Sequence, residues 1–423
     1  MSIIKGDIMP KTIIEKIFQK HSKDNVKAGE IIWLEIDLKT ARDFGGANVV
    51  KTLNGCCKAN PIKDKENTYF TFDTNAPARD IGYATNQMII RDFAAKENLK
   101  VYDVDQGIGS HIGIELGQVY PGVTVVGTDS HLNIMGAVCA FGQGMGDLDI
   151  AYIFKSGRTW FEVPHTIKLN LKGKYKYPVT AKDVTLFILK NLGASGALGC
   201  AVEVYGEAID SMKLHERITL ASMATEMGAI TILIPANDEI IEYTKKHSGR
   251  NDIVKIEADS DAVYIKEITL DLNGLKPQIA NPPKPDNVSD VFAVEGKKIN
   301  SVFVGSCTNG RIEDIKQVID IVKGKRIKED VMFKIVPATR EVYGEMLKNG
   351  YLEILFNSGI IVSNPGCGGC ASGQIGMTGP NEVQLSTSNR NFAGKQGKGD
   401  TYIVSPVVAA YSALKGVISY PKE

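Results

Sequence analysis

No run of about 18 apolar residues occurs anywhere in the sequence, so no segment reads as a membrane span. Residues 1–11 carry Lys5, Asp7 and Lys11 and lack the continuous apolar core of a secretory signal. Charge of one sign is not in excess. The 49 Lys and Arg residues meet 49 Asp and Glu, for a formal net charge of zero, which gives nucleic acid or an anionic membrane no bulk attraction. Cysteine is sparse and odd in number, 7 in 423 residues. That excludes a disulfide framework and fits a reducing compartment. Internal repeats and low-complexity blocks are missing as well. These absences predict a soluble, cytoplasmic protein with no membrane partner, whose free thiols are available as metal ligands.

What is present is an alternation of short β-branched runs with longer amphipathic stretches, the pattern of an α/β protein. At about 100–200 residues per domain, the length suggests two to four domains. Residues 275–288 contain Pro277, Pro282, Pro283 and Pro285, which helices and central strands tolerate poorly. A second joint is expected near residues 173–178, where Thr180 and Asp183 can cap a new helix. The predicted segments are 1–173, 174–285 and 286–423. In the third, residues 299–304 read as a buried strand, followed by the loop Gly305-Ser306-Cys307-Thr308-Asn309-Gly310. A helix then follows, with Ile312, Ile315, Val318, Ile319 and Val322 on one face and Gly324 beyond its end. Ligands in open α/β sheets sit beyond the carboxyl ends of strands, which is where this places Cys307. Residues 123–127 read as a strand leading into Thr128-Asp129-Ser130-His131, and residues 100–104 as another, with His111 downstream.

Cys367-Gly368-Gly369-Cys370 puts two sulfurs on one turn whose glycines let backbone N–H groups approach them. Alone, this leaves a metal or cluster, a redox disulfide and incidental thiols all open. Cys307 shifts the balance, being the other cysteine of the third segment and also in a Gly-rich loop. Structural zinc takes four ligands, and no nearby histidine completes the set. Three thiolates without a fourth ligand suit a [4Fe–4S] cluster with one iron open as a Lewis acid. Of the six histidines, His111 and His131 stand out because each follows a strand candidate, and Asp129 lies two residues from His131. A carboxylate beside a histidine can set its tautomer for proton transfer. The polar stretch 386–395 carries Arg390, able to hold a carboxylate in a bidentate fork, although an ordinary solvated loop would read the same.

Together these motifs resemble the aconitase superfamily. Gly305-Ser306-Cys307-Thr308-Asn309-Gly310, Asn364-Pro365-Gly366-Cys367 with Cys370, and Ser388-Asn389-Arg390-Asn391-Phe392 resemble its iron–sulfur signatures, and Asp129-Ser130-His131 its substrate loop. The similarity runs through nearly the whole chain. In length it resembles the large subunits of 3-isopropylmalate dehydratase and archaeal-type homoaconitase, whose swivel domain is a separate small subunit. The resemblance implies three α/β domains around a central cluster held by Cys307, Cys367 and Cys370, with no swivel domain here. It implies paired catalytic groups, His111 with Asp129 and His131 with Glu203, and a further catalytic carboxylate, Asp73. Ser130, Asn389, Arg390 and Lys395 would contact substrate. The implied reaction is the dehydration or isomerisation of a small hydroxy di- or tricarboxylic acid, 3-isopropylmalate first, with homoaconitate, citrate-type or methylated-malate substrates as alternatives. The proton-abstracting serine would lie on the partner, in a heterodimer or heterotetramer. Three departures are visible. Thr74 stands where the family has a histidine in Asp-His-Asn, Lys395 where it has arginine, and Leu132 where threonine is common. A non-catalytic cluster sensor that binds RNA is the rival reading; zero net charge and the absence of a basic run interleaved with aromatics count against it.

Overall fold

The computed structural model describes residues 10–56, 61–370 and 374–422; Cys57 lies outside these. Three main sheets organise the chain. The first has five parallel strands in the order Lys100–Tyr102, Thr68–Thr71, Leu38–Arg42, Thr124–Gly127, Phe141–Gly144. The second has four parallel strands, Thr231–Leu233, Ala201–Tyr205, Thr166–Lys172 and Lys266–Asp271. The third has seven, in the order Val288–Asp290, Gln278–Ala280, Asp400–Ile403, Val383–Ser386, Ser301–Val304, Met332–Ile335, Ile361–Val362. Gln278–Ala280 is antiparallel to both its neighbours, and the remaining pairs are parallel. Each sheet lies against its own apolar core. Among the described residues no helix is long and apolar enough to cross a membrane.

The sheets do not part where the prolines and the cap suggest. Strand Thr166–Lys172 precedes residue 173 yet pairs within the second sheet. The proline-rich stretch contributes Gln278–Ala280 to the third sheet, between Val288–Asp290 at the edge and Asp400–Ile403. Pro277 precedes Gln278–Ala280, and Pro282, Pro283 and Pro285 lie in the turn between it and Val288–Asp290, so no ladder N–H is asked of a proline.

The local signals for helices hold in detail. Helix Ala181–Leu192 begins at a capping box in which the Asp183 carboxylate accepts the Thr180 amide at 2.8 Å. Helix Ile312–Val322 buries Ile315, Val318, Ile319 and Val322 on one face, and Gly324 follows with φ of 73°.

The order of strands decides where the site lies. In the first sheet the winding reverses between Leu38–Arg42 and Thr124–Gly127; in the third it reverses between Val383–Ser386 and Ser301–Val304. At such a reversal the loops leaving two adjacent strands diverge and open a crevice. The loops there are Arg42-Asp43-Phe44, Thr128–His131, residues 387–391 and Gly305-Ser306-Cys307. The two crevices face each other.

Candidate active site

Fourteen of the described residues line one cavity of about 290 Å³ between the first and third sheets, among them Arg42, Thr74, Asp129, Ser130 and His131 from the first and Cys307, Cys367, Cys370, Arg390 and Lys395 from the third. Cys307 lies in a single helical turn, Ser306–Asn309, directly after strand Ser301–Val304. The turn is tight. Gly305 has φ of 149°, and a Cβ there would sit 2.5 Å from the Val336 carbonyl oxygen. Ser306 then adopts φ of 70°, a conformation costly for a side chain outside glycine. Gly368, with φ of 60°, lies so close to Val336 that a Cβ would come within 2.6 Å of it. These close approaches bring both cysteine segments against one strand end.

Arg42 is the electrostatic centre of the first-sheet side. Its Nε donates to Asp73 at 2.8 Å, Nη1 to Asp129 at 2.9 Å, and Nη2 to the Cys367 sulfur at 2.6 Å. Burial works against its charge, but Asp129, Asp73 and Cys367 outweigh that and keep it firmly a cation. Burial likewise pushes Asp73 up to about 6, with Arg42 opposing. For Asp129 the balance falls the other way. Burial is outweighed by Arg42 and His131, and the carboxylate is held below its ordinary range.

On the opposite wall, Glu226 accepts from His131 Nε2 at 3.0 Å and from Arg390 Nε at 2.8 Å. Burial is again outweighed, here by His131 and Arg390, and Glu226 stays charged below the usual carboxylate range. Its other oxygen, Oε2, is buried without a partner among the described residues.

Among the described residues no three His, Cys, Asp or Glu side chains converge on one point that would hold a single metal ion. The three thiols instead border the cavity from two segments, Cys307 from one and Cys367 with Cys370 from the other, an arrangement that suits a multinuclear cluster. Burial pushes the Cys307 and Cys367 thiols well above the ordinary thiol range, with Arg42 opposing. The donor set, all sulfur with one side of the cavity left to polar groups, fits an iron–sulfur cluster.

The aconitase family model matches this chain over residues 15–295 and 289–416, under the description aconitate hydratase. The chain belongs to the aconitase family. Within that family it is 40% identical to the "Probable 3-isopropylmalate dehydratase large subunit" of Methanothermobacter thermautotrophicus, over 98% of this chain and 99% of the relative. It is 38% identical to the "Probable methanogen homoaconitase large subunit" of the same organism, over 94% of each. The crystal structure of Thermococcus kodakaraensis aconitase X in its holo-form shares the fold, with a TM-score of 0.51 over 84% of both chains at 15% identity.

Two pairings expected from the resemblance to the aconitase family are not those of the structure. Glu203 does not meet His131. It lies in the middle of strand Ala201–Tyr205 and accepts the Ile13 amide at 2.6 Å and the Tyr205 and Tyr264 hydroxyls at 2.6 and 3.0 Å. A mid-strand side chain cannot reach a crevice at the strand's end, and Glu226, in the turn Thr225–Met227, takes its place. His111 does not hydrogen-bond Asp129 either, whose carboxylate is occupied by Arg42 and the His131 amide. His111 is buried in helix Gly109–Glu115, and its Nε2 donates to the Cys307 carbonyl at 2.9 Å. Burial and then Arg311 press it down to about 3, so it is neutral and supports the cysteine turn from behind.

Asp73 and Asn389 also stand behind the cavity wall. Asp73 accepts the Gly109 amide at 2.9 Å, and Asn389 donates to the Ser222 carbonyl at 2.9 Å while lying 3.5 Å from the Cys307 sulfur. Ser130, His131, Arg390 and Lys395 face the cavity itself. Arg42 and Glu226 were not anticipated. Arg42 ends a strand, the same signal that marks Asp129, but Leu38–Arg42 contains two cations and reads poorly as an apolar run. Glu226 has no such local signal.

Proposed function

We propose that this chain is the large subunit of a [4Fe–4S] hydro-lyase that dehydrates or isomerises a small hydroxy di- or tricarboxylic acid, 3-isopropylmalate first, with the homoaconitate series the next candidate. The observation that carries the reading is the single cavity bordered by Cys307, Cys367 and Cys370 together with His131, Arg390 and Lys395. The three cysteines would hold the cluster, which when bound supplies a Lewis acid for the substrate's hydroxyl oxygen. Arg390 and Lys395 would bind carboxylate, the first through the guanidinium nitrogens not directed at Glu226. His131, oriented by Glu226, would exchange a proton at Nδ1. Ser130 and Thr74 would offer hydroxyls to the substrate. Threonine cannot serve as a proton donor in the manner of histidine at neutral pH, so Thr74 orients rather than titrates. Asp73 and Asp129, tied to Arg42, would fix the wall rather than react.

A small swivel-domain subunit would close the cavity and contribute the group that removes the substrate's proton. Work in the cytoplasm fits an oxygen-sensitive cluster. The test is turnover by the anaerobically reconstituted chain, alone and with its small subunit, on 3-isopropylmalate, homoaconitate and methylated malates. Negligible turnover alone and restoration by the partner support the reading. Full activity without a partner, or no iron after reconstitution, overturns it.

A further inference from the structure

One buried cation has no part in the scheme above. Lys182, in the first turn of helix Ala181–Leu192, is 1% exposed. Its ammonium donates to the carbonyls of Thr387 and Ser388 at 2.9 and 3.0 Å and lies 3.9 Å from the Met223 sulfur. Among the described residues no carboxylate pairs with it; the neighbouring Asp183 is turned to the Thr180 and Gln278 amides. A buried charge held only by neutral acceptors is costly, and burial draws this ammonium down to about 8. Two carbonyls could be held as well by a neutral donor, so the loop bonds alone do not account for a charge at this place.

The Thr387 carbonyl that Lys182 holds also accepts the hydroxyl of Thr308, the neighbour of Cys307, at 2.7 Å, and the acids that oppose the lowering of its ammonium are Cys307, Glu226, Asp314 and Cys370. Glu226 already has His131 and Arg390. Asp314 accepts from Asn309 at 2.9 Å and from the Arg311 amide at 3.0 Å, and burial raises it to about 6. Cys367 has the Arg42 guanidinium in contact. Asp314 is met by two neutral donors, so among the described residues Cys307 and Cys370 are the acids of this set with neither a cation nor two hydrogen-bond donors on them. Thr387 and Ser388, which Lys182 grips, lead directly into Asn389, whose side-chain oxygen faces the Cys307 sulfur.

We propose that Lys182 is the counter-charge of the metal–thiolate centre, offsetting the negative charge that Cys307 and Cys370 carry once they hold the cluster. The inference rests on the cluster reading above. It makes Lys182 a positioning residue that never touches substrate. Positive charge close to a cluster raises its reduction potential, since net charge is among the terms that set it, and it opposes loss of the cluster to competing ligands.

The experiment compares wild type, Lys182→Met and Lys182→Gln as full chains reconstituted anaerobically. Methionine removes both charge and donors. Glutamine removes the charge but keeps an amide donor for the Thr387 and Ser388 carbonyls. Iron per chain, chelator-driven decay of the visible absorption and the midpoint from an EPR-monitored redox titration are the readouts. Both variants should show a lower midpoint and lose cluster about tenfold faster or more, the scale seen when groups supporting a metal site are removed. If methionine prevents folding, glutamine alone decides. A wild-type midpoint and decay in Lys182→Gln would reduce Lys182 to a loop pin and overturn the proposal while leaving the cluster reading intact. A wild-type chain that takes up no cluster would end both.

Discussion

Glu226 Oε1 lies 3.0 Å from His131 Nε2, joining residues 95 positions apart in the chain. The same oxygen receives Arg390, so one buried carboxylate orients both a proton-transfer group and a carboxylate-binding group. Glu226→Gln keeps the size and loses the charge. Turnover of the reconstituted two-subunit enzyme should fall about 10²–10⁴-fold, the range of a positioned acid–base group, with iron content unchanged. Wild-type kcat/KM in this variant would remove Glu226 from the mechanism.

Each cysteine to serine change should lower bound iron, measured together with acid-labile sulfide. Cys370→Ser is the cleanest case, because Cys370 makes no contact with Arg42. Wild-type iron in that variant would break the ligand assignment. Mild oxidation of the wild-type chain should give a three-iron EPR signal, the sign of one iron without a cysteine ligand.

Arg42→Met strips the cation from two buried carboxyls, Asp73 and Asp129. Leaving buried charge uncompensated costs about 3–5 kcal/mol, to be read as a shift in the urea midpoint. The penalty should be largest above pH 6. It should shrink on acidification, because Asp73, already at about 6 with Arg42 in place, then takes up a proton and needs no partner. A penalty independent of pH would refute the electrostatic account.

Asp183 gives a pH test away from the cavity. Burial raises its carboxyl to about 6 against the backbone and hydroxyl donors around it. Unfolded chain releases this proton near pH 4, whereas the fold keeps it until about pH 6. Between those values the unfolded state binds fewer protons, so this group's contribution makes stability fall as pH rises and level off above pH 6. Asp183→Asn should be less stable throughout by about 1–3 kcal/mol, having lost an acceptor for the Thr180 or Gln278 donors. Its stability should also depend less steeply on pH between 4 and 6. An unchanged slope would show that Asp183 does not titrate in that window.

Thr74→His places an imidazole in the cavity wall where a hydroxyl now lies, 8% exposed and 3.4 Å from Asp73. The pH dependence of kcat should change and KM for the bulkier acids should rise, since the cavity of about 290 Å³ loses space. Identical kinetics would mean that position 74 does not meet substrate.

The sequence by itself determined the α/β class, the cysteine motifs and the strand ends that carry Cys307, Ser130 and His131. All of these are local: an apolar run, a glycine-rich turn and a few polar residues adjoin one another in the chain. It did not determine which charges meet. Glu203 and Glu226 are both buried acids of the same segment, and only the path of the second sheet turns one toward Tyr205 and the other toward His131. Arg42 acquires its role because the first sheet's strand reversal sets it between Asp73 and Asp129, facing Cys367 from a different sheet. Lys182 looks like an exposed first-turn lysine until the loop at 387–388 closes over it. Turns and periodicities are written in neighbouring residues, whereas an ion pair depends on separation in space, which no stretch of sequence encodes on its own.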